Sequence, residues 1–194
     1  MTPELQFILD ELAAFGASND ATALSRAEKL LNITPDTGPF LALMVRALSA
    51  RQVLEIGTSN GYSTLWLADA LREIDGLVTT LELSPAKVLM ARENFERAEL
   101  APWIRQVVGE AGAWLAQAPD SAFRMVFLDS ERGSYVGWWP ELQRILAPGG
   151  LIVVDNATSH ALEMAPFQAV VAATPGYLTS LVTLGNGELL ILKV

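Results

Sequence analysis

Three oxygen-bearing side chains stand where two apolar runs end. Phe127-Leu128 leads into Asp129, and Val153-Val154 leads into Asp155-Asn156. If both runs are neighbouring strands, two carboxylates and one amide oxygen converge at their carboxyl ends. That is half of an octahedral oxygen shell, suited to Mg2+ and also to Mn2+ or Ca2+. Softer chemistry is excluded by inventory: the 194-residue chain has no cysteine and a single histidine, His160. Thiolate zinc sites, iron–sulfur clusters, cysteine nucleophiles and disulfides are therefore ruled out.

A second feature lies upstream. Val53-Leu54-Glu55-Ile56 runs into Gly57-Thr58-Ser59-Asn60-Gly61, and helix-forming residues follow from Tyr62-Ser63. Glycines after a strand permit a tight turn and a close approach of backbone N–H groups to a ligand. Ser59 stands where the dinucleotide fingerprint Gly-x-Gly-x-x-Gly needs its second glycine, which argues against a nicotinamide-dependent oxidoreductase. Glu82 ends the next apolar run about twenty residues after the glycine turn, the position from which a carboxylate accepts from ribose hydroxyls. Ser84-Pro85 then supplies an N-cap and a first-turn proline for another helix.

The elements that must position these residues follow from pattern. Leu5, Ile8, Leu9, Leu12 and Phe15 repeat at helical spacing. Ser18-Asn19-Asp20 read as N-cap residues of a second helix ending near Leu31, and 40–48 as a third. From residue 51 the rhythm changes. Strands are expected at 53–56, 78–83, 104–108, 125–128 and 151–154, with helices at 63–71, 85–97, 111–116 and 135–146 between them. Several of these runs are apolar throughout, as for parallel strands covered on both faces. The alternation predicts a doubly wound α/β sheet. After a helix at 165–173, residues 177–184 and 188–194 flank Gly185-Asn186-Gly187, a hairpin signal, so the sheet should finish with an antiparallel strand.

Composition bounds the partners. Half the residues (51%) are hydrophobic and only 18% are charged, so the chain is expected to fold. The 22 acidic residues outnumber the 13 basic ones, giving net charge −9, which argues against a phosphate-tracking nucleic-acid surface. Met1-Thr-Pro-Glu-Leu lacks the basic start and apolar core of a signal peptide. The uncharged stretch 164–187 is broken by Thr174-Pro175-Gly176, so no membrane span is expected and the reading is cytoplasmic.

The spacing Glu55-x-Gly57-x-x-x-Gly61 resembles motif I of the S-adenosylmethionine-dependent methyltransferases. With Leu128-Asp129…Tyr135, Pro148-Gly149-Gly150-Leu151…Asp155-Asn156 and the upstream Gly38-Pro39-Phe40-Leu41, the chain resembles the cation-dependent O-methyltransferase family, which includes catechol and caffeoyl-coenzyme A O-methyltransferases. The likeness covers about residues 33–156 well. It implies a seven-stranded, mostly parallel Rossmann-like sheet with helices on both faces. It also implies one methyltransferase domain over 1–194, with 1–50 as a helical cap and 51–194 as the cofactor-binding sheet. By the same resemblance Asp129, Asp155 and Asn156 bind the metal. Glu55, Gly57, Thr58, Ser59, Gly61, Tyr62, Ser63, Glu82 and Leu83 surround S-adenosylmethionine, Asp129 borders it, and Ile33 touches it by position. Gly109-Glu110-Ala111 lies over the adenine, through either the Glu110 carboxylate or the Ala111 N–H.

The implied reaction is in-line methyl transfer to a hydroxyl of a small phenolic, catechol-like acceptor, by a homodimer as in many relatives. One departure matters. The family commonly carries lysine three residues after the first metal aspartate, assigned as general base; here Arg132 stands there. Arginine stays protonated and accepts protons poorly, though it can stabilise a phenolate or orient a carboxylate. His160, four residues after Asn156, is a candidate base in its place. Of Trp138-Trp139, at least one should be core, and the other is a candidate substrate wall. Two alternatives stay open from sequence: a tRNA-modifying methyltransferase of the same fold, and a cofactor-binding protein with little turnover.

Overall fold

The computed structural model describes residues 1–194. Its strands are β1 (Gln52–Ile56), β2 (Leu77–Glu82), β3 (Ile104–Val108), β4 (Phe123–Leu128), β5 (Leu146–Val154), β6 (Tyr177–Val182) and β7 (Glu188–Lys193). They form one sheet in the order β3-β2-β1-β4-β5-β7-β6. β1 to β5 pair in parallel, and β7 runs antiparallel to both of its neighbours. This is the Rossmann-like sheet with an antiparallel C-terminal hairpin that the sequence led us to expect.

Alternate residues of each strand serve opposite faces. Val53, Val78, Met125, Phe127 and Val153 join one hydrophobic cluster with residues of α1 (Pro3–Thr22), α2 (Thr37–Ala47), α3 (Tyr62–Arg72) and α4 (Pro85–Arg97). Leu54, Ile56, Val126, Leu128, Ile152 and Val154 join a second with α5 (Ala111–Leu115), α6 (Tyr135–Ile145) and α7 (Ala161–Ala172). The sheet is thus covered on both sides, which explains its unalternating apolar runs. No helix is long and apolar enough to cross a membrane.

Three expectations need correction. Ser18-Asn19-Asp20 do not start a second helix; α1 runs through them to Thr22, and only a 3-10 turn, Arg26–Glu28, follows. The Asp20 carboxylate instead accepts from the N–H groups of Leu30 and Leu31, and the Asn19 amide donates to the Glu28 carbonyl. They cap a loop, not a helix. Second, β5 begins at Leu146, with Pro148-Gly149-Gly150 inside it, where the pairing with β4 shifts register. Third, β6 ends at Val182 and not at residue 184, so the hairpin connection runs from residue 183 to 187, longer than the expected Gly185-Asn186-Gly187. Its length has a use. The Asn186 carbonyl accepts from Thr158 N and Ser159 N, and the Gly187 carbonyl from Ala157 N. The loop therefore braces the segment that follows Asn156.

Candidate active site

The strand order reverses between β1 and β4, and a crevice opens outside the carboxyl ends of the strands at such a point. Backbone bonds carry the ladder one residue past each strand: Gly57 N to Leu81 O (3.0 Å), Gly109 N to Glu82 O (2.9 Å), Asp129 N to Ile56 O (3.0 Å) and Asp155 N to Leu128 O (3.0 Å). The residues at this edge are held by sheet geometry and not by flexible loops. Above them lies a cleft of about 1090 Å³. It can hold a nucleoside-sized ligand and a small second molecule together.

The glycine turn forms one wall. Gly57 has φ +110°, and a Cβ there would collide with the Asp129 carbonyl, so the close approach of β1 to β4 requires glycine. Ser59 takes a left-handed φ of 49°. Its N–H donates to Glu82 Oε2 at 2.9 Å, and its hydroxyl to the Leu30 carbonyl at 2.6 Å. Glu82 Oε1 accepts from Ser84 N at 2.9 Å. Both carboxylate oxygens are thus fixed by backbone N–H groups, and each keeps a free lone pair for the cleft. Thr58, Tyr62, Ser63 and Leu83 also line it.

Two of the expected cofactor residues do not reach the cleft wall. Gly61 caps α3 with φ +86° and packs towards Phe95. Glu55 is fully buried beneath the turn, where it accepts from the hydroxyls of Ser63, Thr64 and Thr80. Burial pushes its carboxyl up to about 7 against the opposing effect of those hydrogen bonds. It shapes the wall from behind.

At the other end, Gly109, Glu110 and Ala111 border the cleft. The Glu110 carboxylate caps α5, accepting from Gly112 N at 2.7 Å and Ala113 N at 2.6 Å. Trp138 lines the cleft here, its indole set against Gly112. Trp139 faces the core, edge-on to Phe167. The tryptophan pair splits between cleft and core as expected, and Trp138 stands between Gly112 and Tyr135, whose hydroxyl accepts from Ser130 N. Ile33 lies in the cleft wall with Leu30, Leu31 and Asn32 from the loop after α1. Lys87 ties that loop down through the Lys29 carbonyl at 2.6 Å.

Asp129, Asp155 and Asn156 do converge. The Asn156 amide stands 3.2 Å from Asp129 Oδ1 and 3.0 Å from Asp155 Oδ2. Asn156 adopts φ 65°, a conformation asparagine tolerates better than most residues. Burial and then the charge of Asp155 raise the Asp129 carboxyl well above its ordinary range, and burial raises Asp155. Behind them lies Glu188, fully buried, accepting from Thr37 Oγ1 at 3.0 Å. Its carboxyl is pushed up to about 9 by burial and by the charge of Asp155. Arg132 and His160 both line the cleft beside this cluster. Arg132 is buried and donates through Nε to Glu163 at 2.8 Å, while His160 Nδ1 meets Ser159 Oγ at 2.9 Å.

Sequence reading missed Asn32, Ser130, Trp138 as a partner of Gly112, and Asn186 in the wall. Glu188 was missed as well, and it left a signal: an acid opening a strand whose next four residues are apolar.

A parallel sheet closed by an antiparallel hairpin is the methyltransferase form of the Rossmann-like fold, and solved structures agree. An O-methyltransferase from Bacillus cereus, determined in complex with SAH, is 26% identical and superposes with a TM-score of 0.80, covering 97% of this chain and 91% of its own. The chain belongs to the O-methyltransferase family, whose sequence model matches residues 2–193. It is 39% identical over 145 residues to a catechol O-methyltransferase of Mycobacterium tuberculosis, covering 75% of this chain and 64% of that one. To a catechol O-methyltransferase of Niastella koreensis it is 35% identical over 129 residues, covering 65% of this chain and 58% of that one. The chain spans less than two thirds of the length of these curated relatives.

Proposed function

We propose that the protein transfers a methyl group from S-adenosylmethionine to a hydroxyl of a small catechol-like acceptor, with help from a divalent cation. One observation carries this reading: the glycine turn, Glu82 and the Asp129–Asp155–Asn156 cluster all open onto one cleft large enough for cofactor and acceptor side by side. Family membership and the catechol O-methyltransferase relatives point the same way.

Glu82 uses its free lone pairs for the two ribose hydroxyls. Gly57, Thr58 and Ser59 let the chain approach closely, and Ile33 covers the cofactor from the N-terminal side. The Ala111 N–H, or the Glu110 carboxylate, which caps α5 and keeps a lone pair on each oxygen, serves the adenine, with Trp138 beside them. Asp129, Asp155 and Asn156 fit a hard cation. Two buried carboxylates that disfavour each other's charge are relieved by one, and rotation of the Asn156 amide turns its oxygen towards both. Such a cation, Mg2+ by donor preference, supplies positive charge that makes a neighbouring hydroxyl more acidic. Alignment in the cleft supplies much of the remaining acceleration. Arg132 contributes charge and holds no exchangeable base. His160, with Nδ1 facing Ser159, presents Nε2 as the proton acceptor. The exposed Phe7, Phe15 and Leu43 on α1 and α2 support a homodimer formed through the N-terminal helices.

The test is methyl transfer from S-adenosylmethionine to a panel of catechols and monophenols, read by mass. Methylation of the catechols is expected. Binding of the cofactor with no methylated product on any phenol would overturn the reading in favour of a non-catalytic binder.

A further inference from the structure

Asp155 is held from two sides. In front, the Asn156 amide donates to its Oδ2 at 3.0 Å, and the Asn156 N–H donates to its Oδ1 at 2.6 Å. Behind it stands Glu188. β5 and β7 pair antiparallel with Val154 opposite Leu189, and the next step of that register sets Asp155 opposite Glu188. Side chains directly opposed in such a pair share one face of the sheet, with Cβ atoms about 4.5–5.5 Å apart. The two carboxyl groups lie within hydrogen-bonding reach of each other.

Nothing in the packing of β7 asks for an acid there. Glu188 is fully buried, and the next four residues of the strand, Leu189 to Leu192, are apolar. Thr37 Oγ1 donates to its Oε1 at 3.0 Å, while Oε2 is buried with no hydrogen-bond partner. Such an orphaned oxygen costs stability that an apolar residue would spare. The anchor on the other side is itself fixed. Thr37 opens α2, and the turn before it is docked on the β6–β7 connection: Gly185 N donates to Asp36 Oδ2 at 3.2 Å, and a Cβ at Gly185 would strike the hydroxyls of Thr34 and Thr37. A path of contacts thus runs from the start of α2 through Glu188 to Asp155.

The hold in front is the one that cation binding removes. On the reading above, the Asn156 amide turns its oxygen towards the metal, and Asp155 Oδ2 loses that donor. Glu188 is then the side chain that keeps Asp155 in place. We propose that Glu188 is a positioning residue of the cation site, which, anchored on Thr37, holds Asp155 from behind in the orientation a divalent cation requires. This deepens the cation-assisted reading and rests on it.

Mn2+ is the probe, a hard cation of the same oxygen preference whose binding is read by electron paramagnetic resonance without turnover. Its dissociation constant is measured on the intact chain, with affinity for S-adenosylhomocysteine as the check on folding. Glu188→Leu keeps the volume and the strand preference but removes the polar contact. It should raise the Mn2+ Kd by about 10- to 100-fold, the usual size of a lost partner behind a metal ligand, and leave S-adenosylhomocysteine binding unchanged. Glu188→Gln still accepts from Thr37 and donates to Asp155, so it should bind Mn2+ within about threefold of wild type. A residue that only supports the fold would not separate leucine from glutamine in this way. Should Glu188→Leu fail to fold, Thr37→Val, which removes the anchor, carries the test, with several-fold weaker Mn2+ binding expected. Wild-type Mn2+ affinity in folded Glu188→Leu, or in Thr37→Val where leucine does not fold, overturns the role of Glu188 and leaves the cation reading intact. An equal loss in Glu188→Gln and Glu188→Leu overturns it as well. Absence of Mn2+ binding by the wild type would overturn both.

Discussion

Replacing Glu82 by glutamine should be unusually damaging for so small a change. In most carboxylates one oxygen can become an amide nitrogen without meeting a donor. Here Oε1 accepts from Ser84 N and Oε2 from Ser59 N, each at 2.9 Å. Whichever way the glutamine turns, its NH2 faces a backbone N–H. One backbone donor is left unpaired at a cost of about 1–3 kcal/mol, and one charge-assisted bond to a ribose hydroxyl, worth about 1.5–3 kcal/mol, is lost as well. The Ser59 loss falls on the turn itself and should appear as reduced stability. The ribose loss should appear in binding, as a rise of roughly 10- to 100-fold in the dissociation constant for S-adenosylhomocysteine, measured by calorimetry. Glu82→Ala is the informative partner. It lets water reach both N–H groups, so it should weaken binding similarly while lowering the melting temperature less than glutamine does. A Glu82→Gln protein that binds within threefold of wild type, with unchanged melting temperature, would refute the ribose assignment.

Other consequences follow from the same geometry. Glu55 is raised from 4.5 to about 7, so the folded state keeps a proton that the unfolded state has released between those values. Its contribution to stability is complete below about pH 4.5 and is lost as pH rises through 7, by up to about 3 kcal/mol; melting curves from pH 5 to 8 should therefore fall less steeply for Glu55→Gln than for wild type. Gly187 has φ +90°, and a Cβ there would press into Thr158. Gly187→Ala should cost about 1–3 kcal/mol, a drop of roughly 3–10 °C in melting temperature, and should disturb the segment carrying His160. His160→Ala should lower kcat by about 10²-fold or more with little change in KM; wild-type turnover would end its role as base.

Much of the sheet was legible because parallel, two-sided burial writes itself as short apolar runs, and the residue after each run lands on the functional edge. Gly57, Glu82, Asp129 and Asp155 could be placed that way. What escaped depends on contacts far apart in the chain. Asp20 looks like a helix cap until its carboxylate is seen to meet Leu30 and Leu31. Glu110 sits in the right loop, but its carboxylate turns back onto α5. Asn186 reads as a turn residue, yet its carbonyl holds Thr158 and Ser159 beside the oxygen cluster. Glu55 shows the limit of motif reasoning: its spacing from Gly57 is local, while the face it serves is decided by the packing of α3 and β2.

On the proposed mechanism Asp129, Asp155 and Asn156 work through a hard cation. The most direct measurement is the rate of catechol methylation by metal-stripped protein in EDTA, followed by titration with Mg2+. Near-complete loss in EDTA and full, saturable recovery with Mg2+ are expected. Undiminished methylation in EDTA would contradict it.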